Sequence, residues 1–146
     1  MFLIKKLENP TQEEINCILD IWLNSNIEAH SFIPKDYWLN NYDDVKSALP
    51  KAELLVSYDL ETITGFLGLI DGYIAGIFVK SKYRSLGIGS KLLDTAREHN
   101  NKLVLNVYSK NLKAIEFYSN NGFKKVKESI DLETNEPEYQ FIWTKK

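Results

Sequence analysis

The chain has 146 residues, a formal net charge of −2, and 26% charged against 44% hydrophobic residues. These are the proportions of a single soluble globular domain spanning residues 1–146, large enough to bury a core unaided. No apolar run approaches the roughly 20 residues of a membrane helix. Cys17 is alone, which rules out an internal disulfide, and His30 and His99 are too far apart to suggest a metal site.

The charge is uneven. Residues 1–73 carry 5 Lys+Arg against 12 Asp+Glu, and residues 74–146 carry 13 against 8, so the halves stand at −7 and +5. An acidic first half suits a cationic ligand and a basic second half an anionic one, unless both are merely solvated faces. The imbalance is too mild for a nucleic-acid groove. The opening "MFLIKKLENP" places its apolar residues before its lysines, the reverse of a secretory signal, and a cytoplasmic protein is expected.

In chain order, "FLIKKL" suits a first strand, and "TQEE" forms a capping box with Thr11 as N-cap and Glu14 three residues on. Ile15, Ile18, Leu19, Trp22 and Leu23 then recur at helical spacing. A loop "NIEAHSFIPKD" leads to a second helix with Trp38, Tyr42, Val45 and Leu49 on one side, stopped by Pro50. From residue 52 the period becomes that of strands: "AELLVSY", "TITGFLGLI" and "YIAGIFV", with turns at "DLE" and Asp71-Gly72.

The stretch "YRSLGIGSKLL" opens another helix, with Gly89, Leu92, Leu93 and Ala96 on its stripe, and "KLVLNVY" follows as a strand. A strand, glycine turn, helix and strand in that order imply a parallel crossover. "NLKAIEFYSNNGF" is a helix closed by Gly122, and "FKKVKESIDL" and "EYQFIWT" are two last strands joined by a turn at Asn135–Pro137. The fold expected is α+β: a mixed, mostly antiparallel sheet of about seven strands with one parallel pair and helices on both faces.

A helix N-terminus exposes unpaired N–H groups and about half a positive charge, so a glycine turn that admits a ligand makes an anion site. Gly87 and Gly89 supply such a turn and Arg84 adds a forked, charged donor, although two glycines alone equally describe a plain tight turn. The phosphate loop of nucleotide hydrolases does not fit, because Gly-Ser-Lys stands here after a one-residue spacer. A dinucleotide fingerprint does not fit either. It needs a small residue where Leu92 stands and an acid where Asn106 and Tyr108 lie.

Arg84-Ser-Leu-Gly87-Ile-Gly89 is similar to the R/Q-x-x-G-x-G/A signature of the GNAT superfamily of N-acetyltransferases, and "NVYSKNLKAIEFYSNNGF" resembles that family's second signature. The two lie about 20 residues apart, in the family's order, and "AHSFIPKDYW" also looks like small bacterial members. The resemblance covers nearly the whole chain. It implies a parallel strand pair splayed to hold acetyl-CoA, with the acetyl group passed directly to a primary amine in a ternary complex. A binding module that keeps the acyl-CoA pocket but lacks transfer is the alternative.

By that resemblance Arg84, Ser85, Leu86, Gly87, Ile88, Gly89 and Ser90 cradle the pyrophosphate, and a side chain at Gly89 is expected to enter the phosphate approach. Ile77, Phe78 and Val79 offer backbone groups to the pantetheine arm and the thioester carbonyl. Asn111 bonds the cofactor or serves as a helix N-cap, and Asn106 is a ligand or a satisfied core residue. Tyr118 is the candidate catalytic acid for the departing sulfur, its other reading being a core aromatic. An ammonium acceptor must first lose a proton, and Glu28, His30, Asp71 and Tyr73 are the acceptor-side candidates. The acceptor is expected to be an amine on a small molecule, peptide terminus or protein lysine, cationic where the acidic first half steers it. The assembly is expected to be a monomer or homodimer.

Overall fold

The computed structural model describes residues 2–146. Its elements are β1 (Leu3–Leu7), α1 (Gln12–Ala29), α2 (Lys35–Asn40), α3 (Tyr42–Ala48), β2 (Glu53–Asp59), β3 (Thr62–Ile70), β4 (Tyr73–Val79), α4 (Ile88–Glu98), β5 (Lys102–Tyr108), α5 (Leu112–Asn120), β6 (Lys124–Asp131) and β7 (Glu136–Thr144). The strands form one seven-stranded sheet in the order β1-β2-β3-β4-β5-β7-β6, antiparallel throughout except at β4–β5. This is the mixed sheet expected from the strand–helix–strand order. No helix among the described residues is long and apolar enough to cross a membrane.

Period-2 alternation distributes the strands' side chains between two cores. Leu54, Val56 and Phe66 face α1, where Ile15, Ile18, Leu19 and Ile21 cover them. Leu55, Leu67, Leu103, Leu105 and Phe141 face the other way, under Leu92, Leu93 and Ala96 of α4 and Tyr118 of α5. Each fully buried Leu contributes roughly 1.5–3 kcal/mol. The capping box at the start of α1 closes in both directions: Glu14 N–H donates to Thr11 Oγ1 at 3.1 Å and Thr11 N–H to Glu14 Oε1 at 2.9 Å.

Three boundaries differ from the sequence reading. α1 runs on to Ala29 instead of yielding to a loop at Asn26: Asn26 is buried, and its carbonyl still accepts from the His30 N–H at 3.0 Å, so the backbone ladder continues through it. The second helix is broken at Asn41, whose Nδ2 donates to the Tyr37 carbonyl at 2.6 Å and so competes with the helical ladder. The last turn lies at residues 132–135, with Asn135 at φ 61°, so Pro137 falls inside β7 opposite Ile130. Proline is tolerated there because the rungs to β5 begin only at Glu138.

The sheet opens where the two halves meet. β4 and β5 share a single rung, Tyr73 opposite Val104, supported by Val104 N–H donating to the Gly72 carbonyl at 3.0 Å. Just beyond it β4 carries a bulge: Leu69 pairs with Ile74 and Gly68 with Gly76, leaving Ala75 as an extra residue. A bulge bends its strand and increases its twist, which turns β4 away from β5. From there to Val79 the edge of β4 facing β5 lacks a strand partner.

Candidate active site

The chain leaves the open end of β4 through Lys80 and reaches α4 by a basic loop. Ser85 has φ 66° and Gly87 φ 82°, the latter acting as N-cap of α4 without any side-chain cap, and the first turn of α4 contains no acid. The first N–H groups of α4, at Ile88, Gly89 and Ser90, therefore face the loop uncapped. A Cβ built on Gly87 meets nothing within 4 Å, so the space above this terminus is open and the glycine is required by its left-handed backbone. Gly89 behaves differently from expectation. Its Cβ would lie 3.1 Å from the Phe117 ring, against α5, not in the phosphate approach.

Arg84 stands at the loop's entrance with Nε donating to the Val79 carbonyl at 3.1 Å and Nη1 paired with the Glu28 carboxylate at the end of α1. Glu28 is thus committed to an ion pair beside the loop. A cleft of about 300 Å³ adjoins this pair, lined by Asp20, Asn24, Glu28, Lys80, Lys82 and Arg84. Ile77 and Val79 pack on the core under α4 and α5, whereas Phe78 turns to the α1 side, its ring 5.5 Å from that of Phe66.

Tyr118 projects from α5 into the core, edge-on to Phe117 at 5.3 Å and to Phe123 at 5.6 Å. Burial raises its pKa, with a smaller contribution from the nearby Tyr73, so its phenol stays protonated through the physiological range. Tyr73 is exposed at the closed end of the splay, its own pKa raised by burial of part of the ring and by Glu138, with Asn106 beside it. Asn106 is exposed and opposite Gln140, so it is not the satisfied core residue that was one of its two readings. Tyr73 is thus a neighbour of Asn106, whereas Tyr118 belongs to the core under α4 and feels Tyr73 only electrostatically. Asp71 is apart from them in function: it sits in the β3–β4 turn at φ 48°, followed by Gly72 at φ 81°, the geometry an Asp-Gly hairpin demands.

His30 lies in a wall of aromatic side chains. It is 8% exposed, stacks on Trp38 at 5.4 Å and 26°, and meets Tyr108 and Phe32 edge-on at 5.1 and 5.6 Å. Its Nε2 is 3.1 Å from Asn111 Nδ2, while Asn111 Oδ1 accepts from the Ala114 N–H at 3.2 Å and caps α5. Burial lowers the His30 pKa to about 4, partly offset by the Asn26 carbonyl, although Nδ1 falls short of a hydrogen bond to it. A histidine so weakly basic, with its lone pair occupied, is poorly placed to take a proton from an ammonium. Both ends of the Asn111 amide are likewise in use within the chain.

Several residues at this mouth escape a reading of the sequence. Tyr108 donates to Asp131 Oδ2 at 2.7 Å and Tyr37 to Glu133 Oε2 at 2.8 Å, which ties the β6–β7 turn to β5 and α2. Glu138, directly across from Tyr108, has its pKa raised by burial and by Asp131. The available signal was Glu138 and Gln140 at alternate positions of an otherwise apolar strand.

Comparison with known proteins agrees with this geometry. Residues 50–125 match the family model described as an acetyltransferase (GNAT) domain. The chain is 33% identical over 134 residues to the peptidyl-lysine N-acetyltransferase YiaC of Escherichia coli, covering 90% of this chain and 92% of that protein. The solution structure of apo YjaB from Escherichia coli superposes with a TM-score of 0.85 at 27% identity, covering 100% of this chain and 99% of YjaB. The PaiA N-acetyltransferase of Thermoplasma acidophilum, solved in complex with coenzyme A, shares the fold at TM-score 0.80 and 19% identity, over 99% of each chain. With its splayed parallel pair, its glycine loop and these relatives, the chain belongs to the GNAT acetyltransferase family.

Proposed function

We propose that the chain transfers an acetyl group from acetyl-CoA to the side-chain amine of a lysine in a peptide or protein. One observation carries the reading: the unpartnered edge of β4 beyond Tyr73 runs toward the uncapped N-terminus of α4, with the protonated Tyr118 buried beside it. Acetyl-CoA supplies the activated thioester. Backbone groups of Ile77, Phe78 and Val79 hold its pantetheine arm as an added strand, and an N–H on this edge polarises the thioester carbonyl. Arg84, Ser85, Leu86, Gly87 and the N–H groups of Ile88, Gly89 and Ser90 hold the pyrophosphate, with Asn106 toward the arm. Tyr118 gives its proton to the departing sulfur.

The acceptor side supports a lysine. Glu138 and Asp131 offer negative charge to an ammonium, and the raised pKa of Glu138 brings it closer to the value a base needs near neutrality. An apolar groove of about 210 Å³, walled by Trp22, Leu49, Phe66, Ala75, Gly76 and Phe78, has room for a methylene stem. YiaC is named for peptidyl-lysine as its acceptor. A panel of N-terminally blocked lysine peptides, lysine-free peptides with a free N-terminus and small amines, assayed for acetyl-CoA-dependent thiol release, tests the proposal. Fastest release with the blocked lysine peptides is expected. Faster release with free N-termini or small amines overturns the acceptor, and acetyl-CoA binding without release from any amine favours a binding module.

A further inference from the structure

The hydrogen bond between His30 and Asn111 spans the cleft mouth from the end of α1 to the start of α5. A backbone N–H can only donate, so Asn111 Oδ1 is fixed toward Ala114 and its NH2 group toward His30. His30 Nε2 must accept, which places the ring proton on Nδ1. The ring cannot swing away, since Trp38 stacks on its face and Phe32 and Tyr108 press on it.

α5 is nine residues long, too short to be stable without tertiary support, and Asn111 is its N-cap. Tyr118 follows the cap on this same helix, about 10 Å along it at 1.5 Å per residue. A small rotation at the cap is therefore carried to the Tyr118 hydroxyl, and reacting groups tolerate displacements of only about an ångström before rates fall substantially.

We infer that His30 is a positioning residue: by holding the amide of Asn111 it fixes the start of α5 and, through that helix, the orientation of Tyr118. The inference rests on the proposed role of Tyr118 for its kinetic consequence, but not for the structural link itself.

The test compares His30→Leu, which loses the acceptor atom, with His30→Gln, whose Oε1 can still accept from Asn111. Asn111→Ser is a third variant, keeping a cap oxygen while losing the reach to His30. His30→Leu and Asn111→Ser are expected to lower kcat about tenfold with the acetyl-CoA Kd within about twofold, and His30→Gln to recover most of the loss. In the double variant the losses should not multiply. Full kcat in both His30→Leu and Asn111→Ser, or His30→Gln as impaired as His30→Leu, overturns the inference.

Amide exchange at Leu112–Ile115 supplies a readout independent of turnover. Faster exchange is expected in His30→Leu and Asn111→Ser than in His30→Gln, and equal protection in all three overturns the link. Should the wild type release no thiol with any amine, the proposed function fails while this exchange comparison still decides the role of His30. If His30→Leu does not fold, Asn111→Ser against His30→Gln carries both readouts.

Discussion

Tyr73 on β4 and Val104 on β5 form the single rung joining the two halves of the sheet among the described residues. Everything assigned to acyl-donor binding lies on the open side of that rung. The bulge at Ala75 begins the divergence, and next to it Gly76 leaves room for the Phe78 ring, which would lie 2.3 Å from a Cβ there. The Tyr73–Val104 rung also closes the cleft at its base, with Asn106 beside Tyr73.

Tyr118→Phe keeps the aromatic packing against Phe117 and Phe123 and removes only the hydroxyl with its proton. Its kcat is expected to fall about a hundredfold with the acetyl-CoA Kd changed by less than about twofold, read from steady-state thiol release and calorimetry. Parallel loss of binding and turnover would make Tyr118 a packing residue.

Gly87, at the N-cap of α4, and Gly89, in its first turn, should fail in different ways. Gly87→Ala places a side chain in open space but in a left-handed backbone, costing about 1–2 kcal/mol and loosening the anion site. Gly89→Val drives its side chain into Phe117, so the urea midpoint should drop further than for Gly87→Ala, with misplacement of α5 against α4. Denaturant melts with and without acetyl-CoA separate the two effects. A larger stability loss for Gly87→Ala would contradict the assignment.

Glu28→Gln removes the partner that holds Arg84 in the absence of a ligand. Because the pair is solvent-exposed, stability should change by less than about 1 kcal/mol. Acetyl-CoA affinity is expected to rise several-fold at low ionic strength, and the gain should shrink as salt is added. An unchanged or weaker affinity at every salt concentration would show that Glu28 does not compete for Arg84.

His30 makes stability depend on pH in a defined window. Its folded pKa is lowered to about 4 from 6.5, so between these values the unfolded chain binds a proton that the folded chain does not. The stabilisation from the neutral ring is complete above about pH 6.5 and is lost as pH falls toward 4. Urea midpoints measured from pH 8 to 4 should decline across this window in the wild type and decline less in His30→Gln. Identical slopes would remove His30 as the cause.

The architecture was readable because alternation and helical spacing are strong over long segments. "TITGFLGLI" and "YIAGIFV" match β3 and β4 residue for residue, and the Asp71-Gly72 turn between them is fixed by backbone sterics. The ends of α1 and α2 were less so, since Asn26 and Asn41 make the same bond to the carbonyl four residues back, yet the helix continues through the first and breaks at the second.

The proposed donor side rests on a motif of contiguous residues 84–90, which a sequence displays directly. The proposed acceptor side draws Tyr37, Tyr108, Asp131 and Glu138 from four separate elements, which it does not. His30 stood among the acceptor-side candidates, with packing or capping as its other reading, because sequence spacing carries no sign of Asn111, 81 residues away. Gly89 looked like part of the phosphate approach because only the packing of α4 on α5 shows where its Cβ would point.

The most direct test of the acyl-donor cleft is residue-resolved amide exchange with and without saturating acetyl-CoA. The account predicts slowed exchange along the open edge of β4 at Ile77–Val79 and at Ile88–Ser90, with little change on β1 and β2. Protection confined to other segments, or none despite saturation, would contradict it.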